Sequence, residues 1–133
     1  MKQRKNNVIS LMDKKSKLNR CLEKNYDDFL QSISGISRQM LINMAGRIAA
    51  YSEVYIYFTR EYEWRDEDEL SFFLLFKDPL TVMVDTWLDY RDCMTVDLGG
   101  VLSCLNYDDS KVAEYPLQEG VQAHVLGLSR FDN

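Results

Sequence analysis

The chain has 133 residues, of which 46% are hydrophobic and 28% charged, enough apolar mass for one core and too little for two, so whole-chain disorder is excluded. Only 6 Gly and 2 Pro are present, which argues against a turn-rich sandwich or barrel and for long helices. The net charge of −5 conceals a split: residues 1–24 hold eight basic and two acidic groups, a net of +6, and the remainder eight basic and nineteen acidic, a net of −11.

Residues 1–15 read as a flexible or partly ordered basic arm, with Lys2, Arg4, Lys5, Lys14 and Lys15 around the apolar residues Val8, Ile9, Leu11 and Met12. That patch is free to dock on the body or on a partner. No apolar run of signal length follows the arm, so a cytoplasmic setting with reduced thiols is expected. The longest apolar stretch, Leu70 to Phe76, is too short to span a bilayer, and no membrane association is expected.

The first helix is expected from Ser16 to Ser32. Leu18, Cys21, Leu22, Tyr26, Phe29, Leu30 and Ile33 recur at helical steps, with Ser16 as N-cap and Gly35 as the stop. The second starts near Ser37, with Met40, Leu41, Met44, Ala45 and Ile48 as its inward stripe. Tyr51–Thr59 fits two periods. Val54, Ile56 and Phe58 alternate as in a strand, while Ile48, Tyr51, Tyr55, Phe58 and Tyr62 keep helical spacing. Helix is the expectation, because a lone strand would leave its backbone groups unpaired.

Asp66, Glu67, Asp68 and Glu69 open a third helix, where the macrodipole favours negative charge. It carries Leu70, Phe73, Leu74 and Phe76 inward and ends at Lys77-Asp78-Pro79. The same tripeptide starts the fourth, with Asp78 as cap, Pro79 at the first helical position, and Leu80, Met83, Val84, Trp87 and Leu88 as the stripe. A short fifth helix follows from Thr95 or Asp97 with Leu98, Val101, Leu102 and Leu105 buried, weakened by Gly99-Gly100. Beyond residue 110, Pro116, Gly120 and Gly127 break the tail into pieces. Asn25-Tyr26-Asp27-Asp28 recurs as Asn106-Tyr107-Asp108-Asp109, an isolated echo that no longer period supports. The expected fold is all-α: a compact bundle of four to five helices over 16–110, the basic arm 1–15, and an irregular tail, 111–133, packed on the domain or awaiting a partner.

Leu22-Glu23-Lys24 with Tyr26 and Phe29, Met44-Ala45 through Tyr55 to Phe58, Asp66-Glu67-Asp68-Glu69-Leu70 leading into Phe73-Leu74-Leu75, and Lys77-Asp78-Pro79-Leu80 followed by Trp87-Leu88 together resemble a helical family of unknown function, number 3848 among such domains. The resemblance covers about residues 18–105. It implies an all-α fold and an origin in gut Firmicutes and their mobile elements, and it implies no chemistry.

No catalytic, cofactor or metal site is expected. Asp85, Asp89 and Asp92 share a helix face that could bind a divalent cation, but no His or Glu on a facing helix completes the set, and a solvated acidic face is the simpler reading. The three cysteines, Cys21, Cys93 and Cys104, are widely spaced and His124 is the sole histidine, which excludes a structural zinc site. Cys21 and Cys104 fall on apolar stripes; Cys93 with His124 would lack an orienting third group. There is no nucleophile elbow, and Leu98-Gly99-Gly100-Val101 lacks the lysine and the strand of a phosphate loop.

Two readings of function remain. The first is a non-enzymatic protein-interaction module, in its sharper form an acidic, anti-CRISPR-like inhibitor of a host nucleic-acid-binding or defence protein from a mobile element. Its candidate contacts are Asp66, Glu67, Asp68, Glu69, Asp85, Asp89 and Asp92, which suit a basic partner surface, and the surplus aromatics Tyr57, Tyr62 and Trp64. The alternative is a small accessory nucleic-acid binder acting through Lys14, Lys15, Lys17, Arg20 and Lys24. The oligomeric state is open.

Overall fold

The computed structural model describes residues 2–90, 98 and 114–119. Over these residues the chain forms five α-helices and no strand: α1 (Lys2–Ile33), α2 (Arg38–Asn43), α3 (Ala45–Ile56), α4 (Glu67–Phe73) and α5 (Pro79–Tyr90). A π-helical turn, Tyr57–Glu61, extends α3. The expected all-α fold is therefore present, and Tyr51–Thr59 is helical. Of the expected fifth helix only Leu98 is described, partly buried against the core; the rest of it, most of the tail, and Asp92, Cys93, Cys104 and His124 lie outside the described residues.

The boundary expected at Ser16 is not there. Residues assigned to a separate arm belong to the same helix, which begins at Lys2. No Gly or Pro precedes Gly35, so nothing local stops propagation toward the N-terminus. Long-range bonds hold this part of α1 to α4. Ser10 Oγ and Lys14 Nζ donate to Glu67 Oε1 at 2.6 and 2.8 Å, and Lys14 Nζ reaches Ser71 Oγ at 2.9 Å. Of the N-terminal apolar patch, Leu11 packs on the core and Met12 stays exposed.

α5 lies at the centre. Leu80, Val82, Met83, Val84 and Thr86 have no exposed surface, so it is buried around most of its circumference rather than along the expected stripe alone. Leu18 and Leu22 of α1, Val54 of α3, Phe58, and Leu70 and Phe73 of α4 complete the core. Each such side chain contributes roughly 1.5–3 kcal/mol of burial. α1 and α3 are joined by two stacked ring pairs, Tyr26 on Tyr55 at 4.6 Å and Phe29 on Tyr51 at 3.7 Å between centroids. Ascending positions on α1 meet descending ones on α3, so the two helices run antiparallel.

Helix starts follow local chemistry. Ser37 accepts from Met40 N at 3.2 Å and Asp66 from Asp68 N at 2.9 Å, the usual pairing of a cap with orphan amides. Asp78 accepts from Thr81 N at 3.0 Å and from its hydroxyl at 2.7 Å. The expected second helix breaks at Met44, between Asn43 and Gly46, both poor helix formers. The π turn closes with Tyr62 N donating to Tyr57 O at 2.7 Å.

One side chain links α1 to the start of α5. Asn25 is buried at 7% exposure. Its Nδ2 donates to Lys77 O at 3.2 Å and its Oδ1 accepts from Leu80 N at 3.4 Å. The 115–119 segment closes the other side of this turn: Lys77 N donates to Pro116 O at 3.1 Å and Gln118 N to Leu75 O at 2.8 Å, around a bridge between Phe76 and Leu117. Removing the Asn25 amide leaves the buried Leu80 N–H without its partner and takes the Nδ2 donor from Lys77 O, which keeps only the long contact from Cys21 Sγ at 3.8 Å. Asn25→Ala is expected to lower stability by about 2 kcal/mol in urea denaturation, and Asn25→Asp, which cannot donate to Lys77 O, to be destabilising as well; an unchanged midpoint in both would contradict this role.

Candidate interaction surfaces

The acidic candidates divide by what they touch. Asp85 is engaged from two sides: Arg47 Nη1 lies 2.9 Å from Oδ1, and Tyr115 Oη donates to Oδ2 at 2.8 Å. Arg47 also donates to Tyr51 Oη at 3.3 Å, and Tyr51 Oη shares a 2.6 Å bond with Thr81 Oγ1. The run from Asp78 through Thr81, Tyr51 and Arg47 to Asp85 and Tyr115 thus ties α3, α5 and the 115–119 segment together. Burial, then the bond to Asp85, pushes the Tyr115 hydroxyl far up, so it stays a donor. Asp89 is exposed on α5. Asp92 lies outside the described residues.

The other four acids open α4 within a nine-residue stretch, 61–69, that holds six carboxylates and one cation, Arg65. Glu61, Glu63, Asp66 and Asp68 are exposed; Glu67 and Glu69 are partly buried. Arg65 pairs with Glu63 at 2.7 Å and Lys14 with Glu67 at 2.8 Å. The hydrogen bond from Lys14, then that from Ser10, holds the Glu67 carboxyl below its ordinary range. Glu69 shifts the other way: burial, then the Asp66 carboxylate, raises it, and the Tyr62 hydroxyl offsets part of that rise by donating to it.

The three surplus aromatics do not share one environment. Trp64 is buried at 4% exposure, with Nε1 donating to Phe58 O at 3.2 Å and its ring against Phe73. It is part of the core and does not face a partner. Tyr57 and Tyr62 are partly buried beside Phe58, and Tyr62 lies edge-on to Trp64 at 4.8 Å. Of the two aromatics within the acidic stretch, Tyr62 and Trp64, Tyr62 is the one that keeps exposed surface.

The basic candidates of α1 are partly neutralised within the chain. Lys14 is held by Glu67, Lys17 lies 3.3 Å from Asp13, and Lys24 lies 2.8 Å from Asp28. Lys15 and Arg20 are exposed, with no ion pair among the described residues.

A further surface was not anticipated. Of the stripe expected to bury the second helix, Met40, Leu41 and Ala45 are exposed, and Met44 and Ile48 are partly buried. α2 has no buried residue, and Met40, Leu41 and Ile42 are 49%, 37% and 61% exposed. Leu30, in the last turns of α1, is 40% exposed. Apolar spacing marks a face but does not name what covers it. The sequence signal that marks this surface is the absence of carboxylates from residue 29 to residue 52.

An open cleft of about 360 Å³ is lined by Cys21, Lys24, Asn25, Lys77, Gln118 and Glu119. Burial, then the Asp78 carboxylate, raises the Cys21 thiol, which keeps it protonated rather than nucleophilic at neutral pH. Among the described residues, no three His, Cys, Asp or Glu side chains converge as metal ligands, and no helix is long and apolar enough to cross a membrane.

Opposite shifts at Glu67 and Glu69 predict opposite mutant behaviour. Glu67 has a lowered folded-state pKa, so its charge stabilises the fold above the ordinary carboxylate range and that contribution disappears as pH falls through the folded value. Glu69 has a raised one, so its charge destabilises the fold at neutral pH, and the penalty vanishes once it is protonated. Glu67→Gln is expected to melt below the parent at pH 7 and Glu69→Gln above it, with the Glu69 difference fading first as pH falls and the Glu67 difference fading only below the ordinary carboxylate range. Thermal melts across pH check this; the same sign of shift for both variants at pH 7 would contradict it.

No family model matches the chain, and no match to a curated protein or to a solved structure was found.

Proposed function

We propose that this chain is a non-enzymatic protein-interaction module whose acidic stretch, residues 61–69, engages a basic protein surface. The observation that supports it is local charge density: six carboxylates against one arginine, with Glu61, Glu63, Asp66 and Asp68 exposed at the start of α4 and the half-buried Tyr62 among them. Such a surface attracts basic partners at long range and disfavours other anionic surfaces. Asp85 belongs to the fold's own network, which leaves the stretch at α4 as the better contact. The resemblance to a family found in mobile elements supports a sharper form, in which the partner is a host nucleic-acid-binding or defence protein whose basic channel the carboxylates occupy.

The alternative, nucleic-acid binding through α1, has less in its favour. Three of its five candidate cations already have carboxylate partners in the chain, and a phosphate would have to displace them.

Affinity capture from a bacterial lysate tests the proposal. A nucleic-acid-binding protein is expected to be retained and released by rising salt. The triple variant Glu61→Gln, Asp66→Asn, Asp68→Asn is expected to retain it at least about tenfold less well, about 1.4 kcal/mol; Asn at 66 preserves the cap, so the fold is kept. Recovery of no nucleic-acid-binding protein, or equal recovery by the variant, would contradict the proposal.

A further inference from the structure

We infer that Lys14 is a built-in competitor for the acidic stretch: α1 already occupies part of the surface that a basic partner takes, and the partner binds by displacing it. This device presupposes that residues 61–69 are the partner contact. Lys14 Nζ lies 2.8 Å from Glu67 Oε1 and donates to Ser71 Oγ at 2.9 Å, so an ammonium group is already seated on the start of α4. Ser10 Oγ donates to the same carboxylate oxygen at 2.6 Å. Lys15, next in sequence, is exposed. The hydrogen bond and charge of Arg65 and, more weakly, the charge of Lys15 hold the Glu63 carboxyl below its ordinary range. Two consecutive cations of α1 thus act on the carboxylates of 61–69 as a basic partner segment would.

The contact is weak enough to be displaced. The side chains of Lys14 and Glu67 are 32% and 36% exposed, so water reaches both and the pair closes by a factor of only about five. The helix start adds little of its own. The first turn of α1 holds no acid and carries Lys2, Arg4 and Lys5, where the macrodipole disfavours positive charge. Asn6, Asn7, Val8 and Ile9 follow, all weaker helix formers than alanine or leucine. The start of α1 therefore leans on its tertiary contacts, Leu11 against the core and the Ser10 and Lys14 bonds to α4. When a partner's cation takes Glu67, those bonds break and the first turns fray.

Displacement has two consequences. Affinity for a basic partner is reduced in proportion to the fraction of molecules in which Lys14 is seated, and partner binding is coupled to loosening of the start of α1. Lys17 supplies the comparison. It carries the same charge on the same helix but pairs with Asp13 at 3.3 Å rather than with the acidic stretch. Neutralising either lysine makes the chain more acidic by the same amount; only the change at position 14 vacates Glu67.

Calorimetric titration of the full chain with an octalysine peptide, at about 0.1 M salt so that charges beyond about 10 Å are screened, tests the inference. Lys14→Gln is expected to bind the peptide at least about threefold more tightly than the parent, and Lys17→Gln to stay within about 1.5-fold of it. Amide hydrogen exchange of the unsubstituted chain is expected to speed up over residues 6–14 when the peptide is added, a measurement that does not depend on how the Lys14 variant folds. Equal gains for the two variants, or no gain at position 14, overturn the inference; so does unchanged or slower exchange over residues 6–14. If the triple variant Glu61→Gln, Asp66→Asn, Asp68→Asn loses peptide binding in those cases, the acidic stretch remains the contact and the competitor alone has failed. A parent whose affinity for the peptide equals that of the triple variant overturns both.

Discussion

The first turn of α5 is where the rest of the chain is fastened. A helix start leaves amide groups without partners, and burying it requires that each be met. Asp78 meets the Thr81 amide from within the turn, and Asn25 of α1 meets the Leu80 amide while donating to Lys77 O. Tyr51 of α3 then bonds the Thr81 hydroxyl that Asp78 also accepts from. α1, α3 and the turn between α4 and α5 are held at one place by directional bonds, and Leu80, Val82, Met83 and Val84 are buried behind it. Hydrophobic burial supplies most of the driving force; these bonds define how the helices sit on one another.

That arrangement determines which polar groups remain for a partner. Asp85 is consumed by Arg47 and Tyr115, and Glu67 by Lys14 and Ser10. The opposed charges of the N-terminal residues and the body therefore meet partly inside one molecule. Two of the regions that stay exposed among the described residues differ in chemistry. One is the carboxylate-rich stretch at the start of α4. The other is α2, apolar and free of carboxylates. The first carries a field that attracts cations and is screened by salt; the second presents uncharged side chains to solvent.

The local features were legible in the sequence. Ser37 and Asp78 cap the helices they were expected to cap, because a cap needs only residues two or three positions away, and Asp66, expected within the first turn of its helix, is the cap of α4. The core positions Leu18, Leu22, Leu70, Phe73 and Met83 followed from periodicity. The misreadings share one cause, dependence on distant residues. The N-terminal part of α1 looked like an arm because its stabilising partner, Glu67, is 53 positions from Lys14. Trp64 looked like surplus because its Nε1 bond to Phe58 O follows from the π turn. Met40 and Leu41 looked buried because spacing identifies a stripe without identifying the neighbour that would cover it. Asp85 looked solvated because Arg47, 38 positions earlier, is on another helix.

Methionine oxidation tests the central arrangement most directly, since the chain carries methionines on both sides of it. Met12 and Met40 are exposed at 62% and 49%, and Met83 is fully buried in α5. Under mild peroxide, mass spectrometry should find Met12 and Met40 oxidised at comparable rates, and Met83 slower by at least about an order of magnitude. Protection of Met40 equal to that of Met83 under those conditions would place α2 against the core and contradict the account.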